Sequence, residues 1–122
     1  MNIKIIKIVD PGNLTSERII FKAEADSLIG SYLVLKTKTL SGRGVSSSTS
    51  GTYWFPDKSV KNGELIVLYT KIGKNTEVLN KDGSTTHFFY WNRSLPVWMT
   101  PDDTVVLAYI SSWGSLQLAD ST

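Results

Sequence analysis

The 122-residue chain has no cysteine, a single histidine and no apolar run longer than six residues. Without cysteine it forms no disulfide, offers no thiolate nucleophile and builds no sulfur-ligated zinc site. With only His87, a histidine-based metal site would have to be completed by carboxylates alone. The apolar runs fall far short of the roughly 20 residues a membrane helix needs, so a soluble chain is expected. Also missing are the G-x-G-x-x-G and P-loop patterns that cradle phosphates, the G-x-S-x-G nucleophile elbow, and the EF-hand spacing. No window carries an i, i+3, i+4, i+7 apolar stripe of helical length.

What is present is an ordinary globular composition, 41% hydrophobic and 20% charged, far from the signature of disorder. The length fits one domain spanning residues 1–122, large enough to bury about two-thirds of the surface its unfolded chain exposes. The formal charge of +2 is unevenly spread, with nine Lys or Arg against five Asp or Glu in residues 1–61 and four against six in 62–122. Such asymmetry either marks a basic face for an acidic partner or is a solvated surface. The first residues, MNIKIIKIVDPG, place Lys4 and Lys7 inside the apolar run and do not resemble a signal peptide. If residue 1 is the native start, the expectation is a cytoplasmic protein; an excised domain could equally be extracellular.

Strand periodicity dominates the chain. In Arg18–Ala25 the side chains of Ile19, Phe21, Ala23 and Ala25 share one face, which predicts a half-buried antiparallel strand. Ile3–Val9 is β-branched, but its apolar phase slips between Ile5 and Ile6 and predicts a bulge or a strand that switches sheets. Further strands are expected at Ser31–Thr37, Gly51–Phe55, Leu65–Thr70, Phe88–Trp91, Thr104–Ile110 and Ser115–Leu118. Pro11-Gly12, Asn62-Gly63, Asp82-Gly83 and Trp113-Gly114 supply turns between them. The pattern predicts an all-β sandwich or barrel of about seven or eight short, mostly antiparallel strands. Ser41–Gly51, rich in serine and glycine, is expected to be a flexible loop, with Arg43 between two glycines as a weak anion-binding signal.

The densest information lies in His87–Leu107, where an aromatic strand, a turn carrying Pro96 and Trp98, a Pro-Asp-Asp corner and a β-branched strand follow one another. His87 reads as a strand-edge residue. Asp102 and Asp103 are the only adjacent acids; successive strand residues point to opposite faces, so the pair suits a turn better than acid/base catalysis. Phe88, Phe89, Tyr90 and Trp91 occupy both faces of one strand, so two of them face away from the core unless both faces are covered. The four tryptophans, Trp54, Trp91, Trp98 and Trp113, are core material first and a stacking platform second.

The order of these features resembles that of lamin tail domains, an immunoglobulin-like β-sandwich family. The matching positions are Ile3–Val9, the Pro11-Gly12 turn, and Glu17 ahead of Ile19 and Phe21. Leu28–Val34 resembles the family's Leu-x-Gly-Trp-x-Leu strand, with Tyr32 where tryptophan is usual. Phe55-Pro56, Asn62-Gly63-Glu64-Leu65, Trp98 and Asp103–Leu107 follow in the family's order. The chain departs from the pattern by Tyr32, by an extra residue before it and by the serine-rich insertion at 41–51. It lacks a coiled-coil rod, so no filament role carries over.

The resemblance implies a stand-alone, non-catalytic interaction module with no catalytic set, cofactor or metal to transfer. The expected contact surface is an exposed aromatic patch around Tyr90, Trp91 and Trp98, with Arg93 as an arginine anchor for a protein partner. One alternative is nucleic-acid binding through the basic half, using Lys36, Lys38, Arg43, Lys58 and Lys61, with affinity falling steeply with salt. Another is a carbohydrate-binding sandwich that uses exposed tryptophans. A hydrolase would need His87, Asp102 and Asp103 within hydrogen-bond reach of one another or of one shared water. An exposed sheet edge would also support a homodimer.

Overall fold

The computed structural model describes residues 1–41 and 43–121, and of Arg43 the backbone only. Two sheets enclose one core. The first has the order β1 (Ile3–Val9), β2 (Arg18–Ala23), β8 (Leu65–Tyr69), β10 (Thr85–Tyr90), β9 (Thr76–Leu79). All its pairings are antiparallel except β8 with β10, which run parallel from Leu65↔Thr86 to Tyr69↔Tyr90. In the second, β4 (Tyr32–Leu40) takes β11 (Asp103–Tyr109) along one edge. Along β4's other edge lie β6 (Gly51–Trp54) and then β5 (Arg43–Val45). β3 (Ser27–Leu28) and β7 (Ser59–Val60) form a separate two-residue pair. The molecule is an all-β sandwich of short, mostly antiparallel strands.

The inward rows follow strand alternation. Ile19, Phe21 and Ala23 of β2, Ile66 and Leu68 of β8, Phe89 of β10, Val34 of β4 and Leu107 of β11 are buried against one another. Phe55, just past β6, joins the sheets: its ring meets Phe21 at 5.7 Å and Phe89 at 5.1 Å, both edge to face. Each of the larger of these side chains, Ala23 excepted, contributes about 2 kcal/mol by leaving water, with a smaller geometric gain from the edge-to-face contacts. The expected bulge is present: Ile5 pairs with Phe21 and Lys7 with Ile20, leaving Ile6 unpaired and exposed.

Three features of the chain depart from the strand pattern predicted by periodicity. Ser115–Leu118 is not a strand: beyond the bond from Ile110 N–H to the Ser31 carbonyl the chain is exposed and ends in a 3-10 turn at Leu118–Asp120. Thr76–Leu79 becomes β9 although every residue in it is exposed, because the Asp82-Gly83 turn folds it onto β10. Much of the serine-rich stretch is hydrogen-bonded to β4 instead of standing off as a free loop. Arg43–Val45 forms β5, Thr37 Oγ1 donates to the Ser46 carbonyl at 2.6 Å, and the Ser50 N–H donates to the Lys36 carbonyl at 3.0 Å. No helix among the described residues is long and apolar enough to cross a membrane.

Candidate functional site

The four tryptophans form two pairs, and strand phase decides which pair meets water. In β10 the inward row His87, Phe89 continues to Trp91, which is 9% exposed, while Phe88 and Tyr90 take the outer face. Tyr90 lies parallel to Tyr69 at 5.4 Å, and a side chain on Gly73 would overlap its ring, so its faces are covered. Trp98 is 3% exposed and touches Trp91 at 6.3 Å. The exposed patch expected at Tyr90, Trp91, Arg93 and Trp98 is therefore corrected: two of its rings are core, one is stacked, and only Arg93 is exposed, 5.8 Å over the Trp91 ring.

Glu17 explains why Trp98 turns inward. Its carboxylate, fully buried, accepts the N–H groups of Gly12 at 2.8 Å, Val97 at 2.9 Å and Trp98 at 3.2 Å, and the Thr70 hydroxyl. A buried charge is tolerable when its lone pairs are filled by such donors. One side chain thus fixes the β1–β2 turn, the end of β8 and the 97–98 backbone. Beside it, Ile8, Pro11, Trp98, Met99 and Pro101 line a cleft of about 400 Å³.

The second pair stands on the surface. Tyr53 faces the core and Phe55 follows it, so alternation turns Trp54 outward, where it is 45% exposed. Trp113, in the segment after β11, is 65% exposed and meets Trp54 edge to face at 5.0 Å and 86°. The Trp54 indole N–H donates to the Gly30 carbonyl at 2.7 Å, which fixes that ring. Leu28, Gly30, Trp54, Asp57, Ile110 and Trp113 are among the residues lining a cleft of about 380 Å³. Glycine is required at position 30: a Cβ there would overlap Asp57 Oδ1 and stand 2.9 Å from the Asp57 Cα. The Asp57 carboxylate is exposed and has neither an ion-pair partner nor a hydrogen bond among the described residues.

The polar residues singled out in the sequence are engaged elsewhere. His87 is not at a strand edge; it lies buried in β10 between β8 and β9, with Nε2 at 2.9 Å from Glu64 Oε1 and Nδ1 without a partner. Burial would raise the Glu64 pKa, but His87 and the N–H groups of Lys61 and Thr85 outweigh it and hold the carboxyl down at about 2. Asp103 Oδ2 accepts the N–H groups of Met99 at 2.7 Å and Thr100 at 3.0 Å, the turn chemistry expected of the Pro-Asp-Asp corner. Against the expectation of divergence, both acids reach Lys38, whose Nζ is 3.6 Å from Asp102 Oδ1 and 2.8 Å from Asp103 Oδ1. They converge because Asp102 lies in the turn, ahead of the strand. Burial pushes the Asp103 carboxyl up, and Lys38 with the two turn N–H groups overcomes that and holds it well below the ordinary range. The structure does not bring His87, Asp102 and Asp103 together: the histidine faces Glu64, and the aspartates face lysines in the other sheet.

The basic residues of the N-terminal half do not assemble either. Lys36 and Lys38 are paired with Asp103, and Lys58 with Glu77 of β9 at 2.8 Å. Lys61 is exposed with no ion pair among the described residues, and the Arg43 side chain lies outside them. Among the described residues no three His, Asp or Glu side chains are placed to hold a metal ion.

The exposed tryptophan cleft is the feature sequence reasoning missed. Its one signal was the phase of Tyr53-Trp54-Phe55, in which only the middle ring can face out of a sandwich. Comparison of the chain with protein-family models, with curated proteins and with solved structures finds no match.

Proposed function

We propose that this chain is a non-catalytic binding module that engages a protein partner through the Trp54–Trp113 cleft. The observation that carries the reading is the exposure of two large indole rings at one site, one of them fixed by its hydrogen bond to Gly30. Large aromatic side chains held rigid at a surface are the usual anchors of protein contacts, because they contribute area at little entropic cost. The order of sequence features supports placing the module among lamin-tail-like sandwiches, and that fold-level likeness argues for an interaction role only by analogy.

The test is quantitative affinity capture from native extract with the immobilised chain and three variants. Proteins retained by the wild type and by Arg93→Ala but lost by Trp54→Ala and Trp113→Ala are the expected result. An identical captured set from all four would remove the cleft as the contact surface.

A further inference from the structure

We infer that the Trp54–Trp113 cleft receives an arginine side chain of a protein partner; this rests on the reading of the cleft as the module's contact surface. Three observations converge. First, the two rings stand at 86°, so they form a corner of aromatic surfaces and not the flat platform on which consecutive sugar rings would stack. A cation within about 6 Å of an indole face is attracted by the ring's quadrupole, and a corner offers it aromatic surface on two sides. Second, among the described residues Asp57 is the only charged one lining the cleft, and its carboxylate has no ion-pair partner. The chain's adjacent cation, Lys58, does not neutralise it, being held by Glu77 at 2.8 Å. Third, the indole donor of Trp54 is already used by Gly30, so the fixed ring contributes its π face and edge instead of a hydrogen bond.

Arginine matches this set better than lysine. Its planar guanidinium stacks on an indole while its fork of N–H donors engages a carboxylate, whereas an ammonium is a compact, strongly hydrated charge. The cleft, about 380 Å³, has room for an arginine side chain.

The experiment is an NMR titration of the intact chain, following the indole N–H resonances. The probes are the blocked tripeptide Gly-Arg-Gly, its citrulline isostere, Gly-Lys-Gly, and a cello-oligosaccharide. Arginine is expected to shift the Trp54 and Trp113 signals saturably, with citrulline weaker by about fivefold or more. Asp57→Asn is expected to weaken arginine more than citrulline while leaving arginine the tighter of the two, because the cation–π contact with the indole corner remains. Equal binding of arginine and citrulline, a lysine preference, an unaltered Asp57→Asn variant, or no saturable shift would each overturn the inference. Binding of the oligosaccharide alone would overturn it as well. None of these results touches the capture experiment, so the partner-binding reading stands or falls separately on the tryptophan variants.

Discussion

Trp91 and Trp98 meet at 6.3 Å and Trp54 and Trp113 at 5.0 Å, yet the first pair is core and the second is surface. Composition does not separate them, since all four are the same residue. The difference is made by backbone. Trp91 ends an inward strand row and Trp98 follows a turn gripped by Glu17. Trp54 holds an outward position in β6, and Trp113 belongs to a segment with no sheet partner among the described residues. The lesson is that an aromatic count identifies anchors for a sandwich of this size, and only the backbone that carries each ring says whether it faces the core or the surface.

The strongest way to break the comparison is to release the buried pair. Glu17→Ala would strand the N–H groups of Gly12, Val97 and Trp98 and the Thr70 hydroxyl, and is expected to cost about 4 kcal/mol or more, each abandoned donor adding 1–3. Trp98→Ala, which empties a site beside Trp91, is expected to cost about 3 kcal/mol. Urea denaturation followed by far-UV circular dichroism measures both. If Glu17→Ala does not fold, Glu17→Gln keeps one acceptor and should lie between it and wild type. A loss below 1 kcal/mol for Glu17→Gln and Trp98→Ala alike would mean that the buried pair is not built on this carboxylate.

Much of this fold was legible because alternation is local: β2, β8, β10 and β11, the bulge at Ile6 and the Asp103 corner all follow from neighbours a few residues apart. What escaped was non-local. Glu17 finds its acceptor role 80 residues away at Val97, and His87 finds Glu64 across a sequence distance of 23, so no window around either residue shows its partner. The parallel pairing of β8 with β10 is of the same kind, since it depends on β9 being folded away to the sheet edge. For the candidate site, alternation says that Phe88 and Phe89 point to opposite faces but not which face is covered. Whether Tyr90, Trp91 and Trp98 meet solvent is therefore decided by packing, which buries the two tryptophans.

Acid should separate the two pairs more gently. Glu64 and His87 lie at the far end of the inward β10 row that finishes in Trp91, so this polar pair belongs to the buried side of the comparison. The Glu64 carboxyl is held at about 2 in the folded chain against an ordinary 4.5, so the unfolded chain takes up the proton first. Its stabilising contribution is complete above pH 4.5 and is lost as pH falls towards 2. Asp103, whose carboxyl is also held low, adds its own loss in acid, so the Glu64 part is the difference between wild type and Glu64→Gln. In thermal unfolding the wild type is expected to lose more than Glu64→Gln between pH 4.5 and 2. Parallel curves would show that the Glu64–His87 pair does not support the row.

The smallest expected effect falls on the exposed pair, and its smallness is what distinguishes a ligand site from core. Trp113→Ala removes a ring that is 65% exposed and makes no hydrogen bond within the chain among the described residues, so stability should change by no more than about 0.5 kcal/mol. Trp54→Ala also gives up the bond to Gly30 and should cost about 1 kcal/mol. Trp54 should therefore matter more to folding than Trp113, while both matter to whatever fills the cleft. Urea midpoints of the two variants measure the order. A Trp113→Ala loss as large as that of Trp98→Ala would make the surface pair a second piece of core and withdraw the argument that its exposure serves binding.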